Sequence, residues 1–278
     1  MREISSDLIE SAIYKLAEQA CCELCEDAYA ALKNLKGIKG NQNAEFAVDC
    51  LIKNADIAKK ERIAVCQDTG MAVVFLELGQ DVHISGKNLN NAINDGIYKS
   101  YKDNSFRMSV LDPISRVNTN TNTPAIIHTE IVKGENIKIT FMPKGFGSEN
   151  MTKLFMLSPA EGLTVALEKI VDAVKYAGSS PCPPVVVGVG FGGTAETAIL
   201  LSKKALFRKI ESNNADPVLD KLEKDLLKKI NKLNIGPQGF KGTTALAVFI
   251  EKFPTHIAAF PVGVSIQCNC VRKAEIVL

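Results

Sequence analysis

The stretch PCPPVVVGVGFGGTAE (181–196) decides the fold class. Prolines on both sides of Cys182 bar a helix there, because each fixes φ and removes a backbone donor. Pro183 to Val189 then runs apolar and β-branched, as a strand buried on both faces does. A glycine cluster follows, and from Thr194 to Ile210 the pattern returns to helix. A buried strand passing through a turn into a helix is the repeating step of α/β architecture.

Reading outward, the same alternation continues. The first ~35 residues are helical in pattern, with Ser5, Ser6 or Asp7 as N-cap and Leu8, Ala12, Ile13, Leu16, Ala20 and Leu24 on one buried face. Ala72 to Leu76 reads as a strand after the polar turn Gln67-Asp68-Thr69-Gly70, and Val82 to Ile84 as another. Asn88 to Ser100 reads as helix and Ser115 to Pro124 as a polar loop. Ile126 to Val132 and Ile137 to Phe141 are expected to form a hairpin across Gly134, with PKGFGSEN (143–150) as a second glycine loop. Helices are expected over Glu161 to Ala177 and Val218 to Leu233, and strands over Thr244 to Ile250 and Val262 to Gln267. With no repeat, low-complexity linker or evident boundary, residues 1–278 are expected to form a single α/β unit.

Composition narrows the function classes. The 278 residues are 46% hydrophobic and 23% charged, which is globular, and 33 basic against 31 acidic residues leave a net charge of only +2. That balance, spread along the chain, argues against a nucleic-acid binder. No apolar run reaches the ~18 residues of a transmembrane helix, and MREISSDLIE offers no signal region, so a cytoplasmic protein is expected. Eight cysteines in a chain able to build its own core are read as reduced thiols. Cys21, Cys22 and Cys25 fall in a helical pattern and, like Cys50, read as small buried hydrophobes.

Several groups could carry chemistry. Gly188-Val189-Gly190-Phe191-Gly192-Gly193 matches the dinucleotide fingerprint in letters, but no acidic ribose partner ends a strand ~20 residues on, where SKKALFRKIES is helical. A turn whose amides face some other ligand is the preferred reading. Cys66, Cys182 and Cys268 each stand at the end of an element, where functional residues are displayed, and three thiolates could hold an iron–sulfur cluster. Spacing alone favours three unrelated buried thiols. Asp68 could act as acid or base, or merely cap its turn. Arg107, Arg116 and Asn118 could clamp a dicarboxylate or lie on the surface. His83, His128 and His256 are too scattered for a zinc site.

At these residues the chain resembles the α subunit, or N-terminal region, of class I fumarate hydratase and the related L-tartrate dehydratase α subunit. The segments are CQDTGMAVVF (66–75), RMSVLDPISRVNTNTNTP (107–124), KGFGSENM (144–151), AGSSPCPPVVVGVGFGGTAE (177–196), and GPQGFKGTTAL with FPTHIAAFPVGVSIQC (236–268). The resemblance implies mixed β-sheets surrounded by helices, the fumarase class I N-terminal-type fold. It implies a hydro-lyase that reversibly hydrates fumarate to L-malate, with a [4Fe-4S] cluster held by Cys66, Cys182 and Cys268 as Lewis acid. Asp68 matches an acid/base residue, Gln67 and Arg107 substrate-binding residues, and Gly145, Phe146 and Gly147 a loop lining the site.

This sequence departs from the family pattern in places. Asn269 stands where a His usually follows the third cysteine, Cys270 is a second candidate ligand although the SIQC match favours Cys268, and Phe146 and Thr121 replace a glycine and an acidic residue. The resemblance also implies a separate β subunit supplying the remaining catalytic groups, in a heterotetramer, with this chain inactive alone. Rival readings are L-tartrate dehydration, a cluster-free binding or assembly subunit, and a nucleotide-dependent enzyme using the glycine run.

Overall fold

The computed structural model describes residues 2–35 and 41–278. In chain order its elements are β1 (Arg2–Ser5), α1 (Ser6–Cys22), α2 (Glu26–Lys33), α3 (Gln42–Glu61), β2 (Met71–Gly79), β3 (Val82–Ser85), α4 (Leu89–Asp103), β4 (Ile126–Val132) and β5 (Ile137–Lys144). They continue with α5 (Phe146–Glu149), β6 (Lys153–Leu157), α6 (Gly162–Ala177), β7 (Val185–Gly192), α7 (Ala195–Ala205), α8 (Pro217–Asn231), β8 (Ala245–Phe253), β9 (Phe260–Gln267) and β10 (Ala274–Val277). The architecture is α/β, with open mixed sheets flanked by helices. No described helix is long and apolar enough to cross a membrane.

Where the sequence shows no boundary, the chain divides into two compact units. Unit 1 comprises Met1–Cys25, Asn54–Phe146 and Arg272–Leu278, and unit 2 comprises Glu26–Lys53 and Gly147–Val271. Each is assembled from separated segments, so no single linker marks the division.

Unit 1 is built on a four-stranded sheet of order β10-β5-β2-β4, beside a short parallel pair of β1 and β3. Ser5 caps α1 by accepting the Leu8 N–H at 3.2 Å. The buried stripe of α1 includes Ile9, Ile13, Leu16 and Ala20, packed with Ile93 and Ile97 of α4 and with Ile139 and Phe141 of β5. Leu8 is half exposed rather than part of that stripe. The expected hairpin of β4 and β5 does not form. β2 lies between them, parallel to β4 and antiparallel to β5. The apolar run of β2 takes the central position, whereas β4, none of whose residues is fully buried, forms the edge. The glycine loop at 143–150 also contains the single-turn α5.

Unit 2 is built on a sheet of order β6-β9-β7-β8. All eight residues of β7 are buried, because both of its faces are covered. Val185, Val187 and Val189 join a core with Ala166 and Ile170 of α6 and Leu226 and Ile230 of α8. The opposite face carries Gly188 and Gly190. A Cβ at Gly188 would overlap the Ser202 carbonyl of α7, and one at Gly190, or at Gly263 of β9, would overlap the Ala198 carbonyl. The glycine run is therefore mainly strand, cleared of side chains so that the α7 backbone lies on the sheet. This corrects its reading as a ligand-facing turn, since Gly188, Gly190 and Gly192 all lie within the buried strand and only Gly193 follows it. Helix α7 ends at Ala205, short of the expected Ile210.

The packing predicts that Gly188→Ala destabilises the protein by about 3 kcal/mol, the upper range for overpacking. Urea denaturation checks this, and an unchanged midpoint would show that α7 does not rest on the strand.

Candidate active site

In unit 1 the sheet register builds one site edge. Met71 at the start of β2 pairs with Lys144 at the end of β5, so the turn before β2 lies beside the residues after β5. Asp68 joins them. Its Oδ2 accepts the Phe146 N–H at 2.8 Å and its Oδ1 accepts the Gly70 N–H at 3.0 Å. The approach is tight at Gly145, where a Cβ would stand 3.0 Å from the same Oδ2. Gln67 is exposed and Cys66 partly buried, its thiol donating to Gln67 Oε1 at 3.6 Å.

The turn is held from below by its carbonyls. Arg272 Nη2 donates to the Asp68 carbonyl at 2.8 Å, Tyr101 Oη to the Thr69 carbonyl at 2.6 Å, and Asn122 Nδ2 to the Gly70 carbonyl at 3.1 Å. Thr69 Oγ1 donates to the Arg107 carbonyl at 2.7 Å, and Asn122 Oδ1 accepts the Ser109 N–H at 2.7 Å. The exposed Arg107 side chain thus projects from backbone pinned to the Asp68 turn. Behind Tyr101, the Cys21 thiol donates to its hydroxyl at 3.8 Å. Burial pushes the Cys21 thiol up to about 11 and the Tyr101 hydroxyl well above its ordinary range, so both remain protonated donors at neutral pH.

Unit 2 gathers the other cysteines at one end of its sheet. Val186 of β7 pairs with Gln267 of β9 in antiparallel register, so Cys182, before β7, and Cys268, after β9, share an end. Asn269 links them, its N–H and Nδ2 donating to the Cys182 carbonyl at 3.1 and 2.7 Å. The loop before β8 reaches the same end, where the Gln238 N–H donates to the Pro183 carbonyl at 2.9 Å. Gly147 also lies here, since a Cβ on it would stand 3.4 Å from the Ser180 carbonyl.

Cys182 is exposed and has φ of +51°. For a side-chain-bearing residue this conformation costs roughly 1 kcal/mol or more and is characteristic of functional sites. Cys268 and Cys270 are partly buried neighbours, the Cys268 thiol donating to the Cys270 carbonyl at 3.8 Å and the Cys270 thiol to Asn269 Oδ1 at 3.4 Å.

No described cysteine is in a disulfide. Cys21 and Cys22 are buried, as their helical pattern implies, whereas Cys50 is exposed and departs from its expected burial. Within each unit, no group of three or more His, Cys, Asp or Glu among the described residues is arranged to hold a metal ion. The accessible cysteine donors are nevertheless all sulfur, which fits an iron–sulfur cluster and not a hard cation. Reading the sequence missed Tyr101, Asn122 and Arg272. Nothing local marks them, because their partners are distant backbone carbonyls.

Comparison with known proteins places the chain in a family. The family described as "Fumarate hydratase (Fumerase)" matches residues 10–277. A Methanocaldococcus jannaschii protein named "Putative L(+)-tartrate dehydratase subunit alpha" is 38% identical over 273 residues, covering 96% of each chain. "Fumarate hydratase class I, aerobic" of Salmonella typhimurium is 31% identical over 253 residues, covering 87% of this chain and 43% of that longer protein. An Escherichia coli "L(+)-tartrate dehydratase subunit alpha" is 27% identical over 258 residues, covering 91% and 85% respectively. The chain belongs to the fumarate hydratase family of hydro-lyases.

Thiol exposure gives a direct check. Brief iodoacetamide treatment of the folded chain without a cluster is expected to alkylate Cys182 and Cys50 while sparing Cys21 and Cys22. Peptide mass mapping reads the result, and equal labelling of all four would contradict the burial.

Proposed function

We propose that this chain is the α subunit of a hydro-lyase that reversibly hydrates fumarate to L-malate, completed by a separate β subunit in a heterotetramer. The observation that carries the reading is the Cys66-Gln67-Asp68 turn, which presents a thiol, a carboxamide and a carboxylate in succession with the Arg107 backbone pinned to it.

In this reading each residue has a role. Arg107 grips one substrate carboxylate, because a guanidinium is permanently charged and matches a carboxylate in two parallel hydrogen bonds. Gln67 offers both a donor and an acceptor beside it. Asp68 moves the proton of the hydroxyl, taking it from water in hydration and returning it to the departing oxygen in dehydration. The Phe146 and Gly70 amides hold both oxygens of that carboxylate in place. Gly145, Phe146 and Gly147 line the site, and the β subunit supplies the group that exchanges the carbon-bound proton. Hydration involves no net redox change.

Cys66, Cys182 and Cys268 would hold a [4Fe-4S] cluster, which when bound supplies a Lewis acid that polarises the substrate hydroxyl. The all-sulfur donor set and the shared position of Cys182 and Cys268 support this assignment. Cysteines outside any disulfide also suit a reducing cytoplasm. L-tartrate dehydration is the second reading, favoured by the names of relatives that match over 96% and 85% of their own length.

The test is anaerobic reconstitution of the chain with its β subunit, followed by iron and sulfide analysis and assays with fumarate and L-tartrate. About four irons per chain are expected. Cys66→Ser, Cys182→Ser and Cys268→Ser should lose them, while Cys270→Ser retains them. Iron loss in Cys270→Ser alone would reassign the third ligand. An iron-free wild-type protein would overturn the cluster reading in favour of a binding or assembly subunit, and turnover of L-tartrate alone would select the second reading.

A further inference from the structure

We propose that Tyr101, Asn122 and Arg272 are positioning residues, which together hold the Asp68 turn in register with Arg107. The proposal rests on the assignment of Asp68 and Arg107 to the reaction and adds how they are aligned.

Three consecutive carbonyls, those of Asp68, Thr69 and Gly70, accept from three side chains that are each at most 1% exposed. The donors come from helix α4, from the loop between α4 and β4, and from the residue that begins the last segment of unit 1. A buried carbonyl requires a donor, but residues 68–70 precede the first ladder position of β2 at Met71. Side chains therefore satisfy what a neighbouring strand would otherwise satisfy.

The choice of donors links the two functional groups. Asn122 uses both ends of its amide, giving to the Gly70 carbonyl and accepting from Ser109, two residues after Arg107. Thr69 closes the same loop through the Arg107 carbonyl. Displacement of the turn consequently displaces Arg107 with it. Because a peptide group is planar, carbonyls directed into the core also fix the orientation of the peptide planes that carry the turn. Tyr101 suits its place further, since its ring packs edge-on against Phe106 at 5.5 Å while its hydroxyl serves the turn.

Tyr101→Phe tests the clamp while keeping the ring, and Asn122→Ala provides a second variant should the first fail to fold. Hydrogen exchange on the full chain without cluster is expected to show at least about tenfold faster exchange in peptides covering 66–71 and 107–110, with the rest of the chain unchanged. In the assembled enzyme with normal iron content, kcat is expected to fall about 10- to 100-fold with KM within about twofold, as for a misplaced but intact catalytic group. Arg272→Lys should recover part of the rate lost in Arg272→Met. Unchanged local exchange in both variants would overturn the clamp. Faster exchange with unchanged kcat would overturn its positioning role. A wild-type enzyme that hydrates no dicarboxylate would remove the functional reading instead, while the exchange result would still decide the clamp.

Discussion

The buried carbonyls of Asp68, Thr69 and Gly70 impose the constraint on which the unit 1 site depends. Left without donors, each would cost about 1–3 kcal/mol, and the turn would swing toward solvent to recover that loss. Arg272, Tyr101 and Asn122 remove the need. The turn can then remain ordered while Gln67 stands exposed and the Asp68 carboxylate is held by the Phe146 and Gly70 amides. A fully buried Arg272 is costly unless its charge meets oriented dipoles, and the Asp68 carbonyl is one of them.

Unit 2 solves a different problem by omission. Gly188, Gly190 and Gly263 clear one face of β7 and β9 so that the α7 backbone can rest on it, while the valines of β7 fill the opposite face. A strand fixed from both sides gives well-defined ends, and Cys182 and Cys268 occupy such ends. The candidate residues in each unit thus lie just outside the regular ladder, where the backbone is free to display side chains and the neighbouring strands hold it still.

Much of this was legible in the sequence, for reasons tied to particular residues. The apolar run of β7, the amphipathic period of α8 and the Ser5 cap of α1 are local signals, and each element forms where those signals lie. The family segments identified the candidate residues, and the register of β2 with β5 brings the Asp68 turn to Gly145 and Phe146. Partner choice was not legible. β4 and β5 read as a hairpin because they are adjacent in sequence, whereas the more apolar β2 takes the place between them. The GxGxGG letters are the same whether glycines approach a phosphate or a helix, and only the position of α7 separates the two. Arg272 lies 204 residues from Asp68, beyond the reach of any spacing rule. Short strands such as β1, β6 and β10 owe their existence to their neighbours and not to their own pattern.

The proposed transfer of the hydroxyl proton by Asp68 is tested by Asp68→Asn in the assembled, iron-loaded enzyme. The substitution preserves shape but keeps one acceptor oxygen, so it retains only one of the Phe146 and Gly70 amides, and it cannot take up a proton at neutral pH. A fall in kcat of about 10²- to 10⁴-fold with iron content unchanged is expected. Wild-type turnover in Asp68→Asn would contradict it.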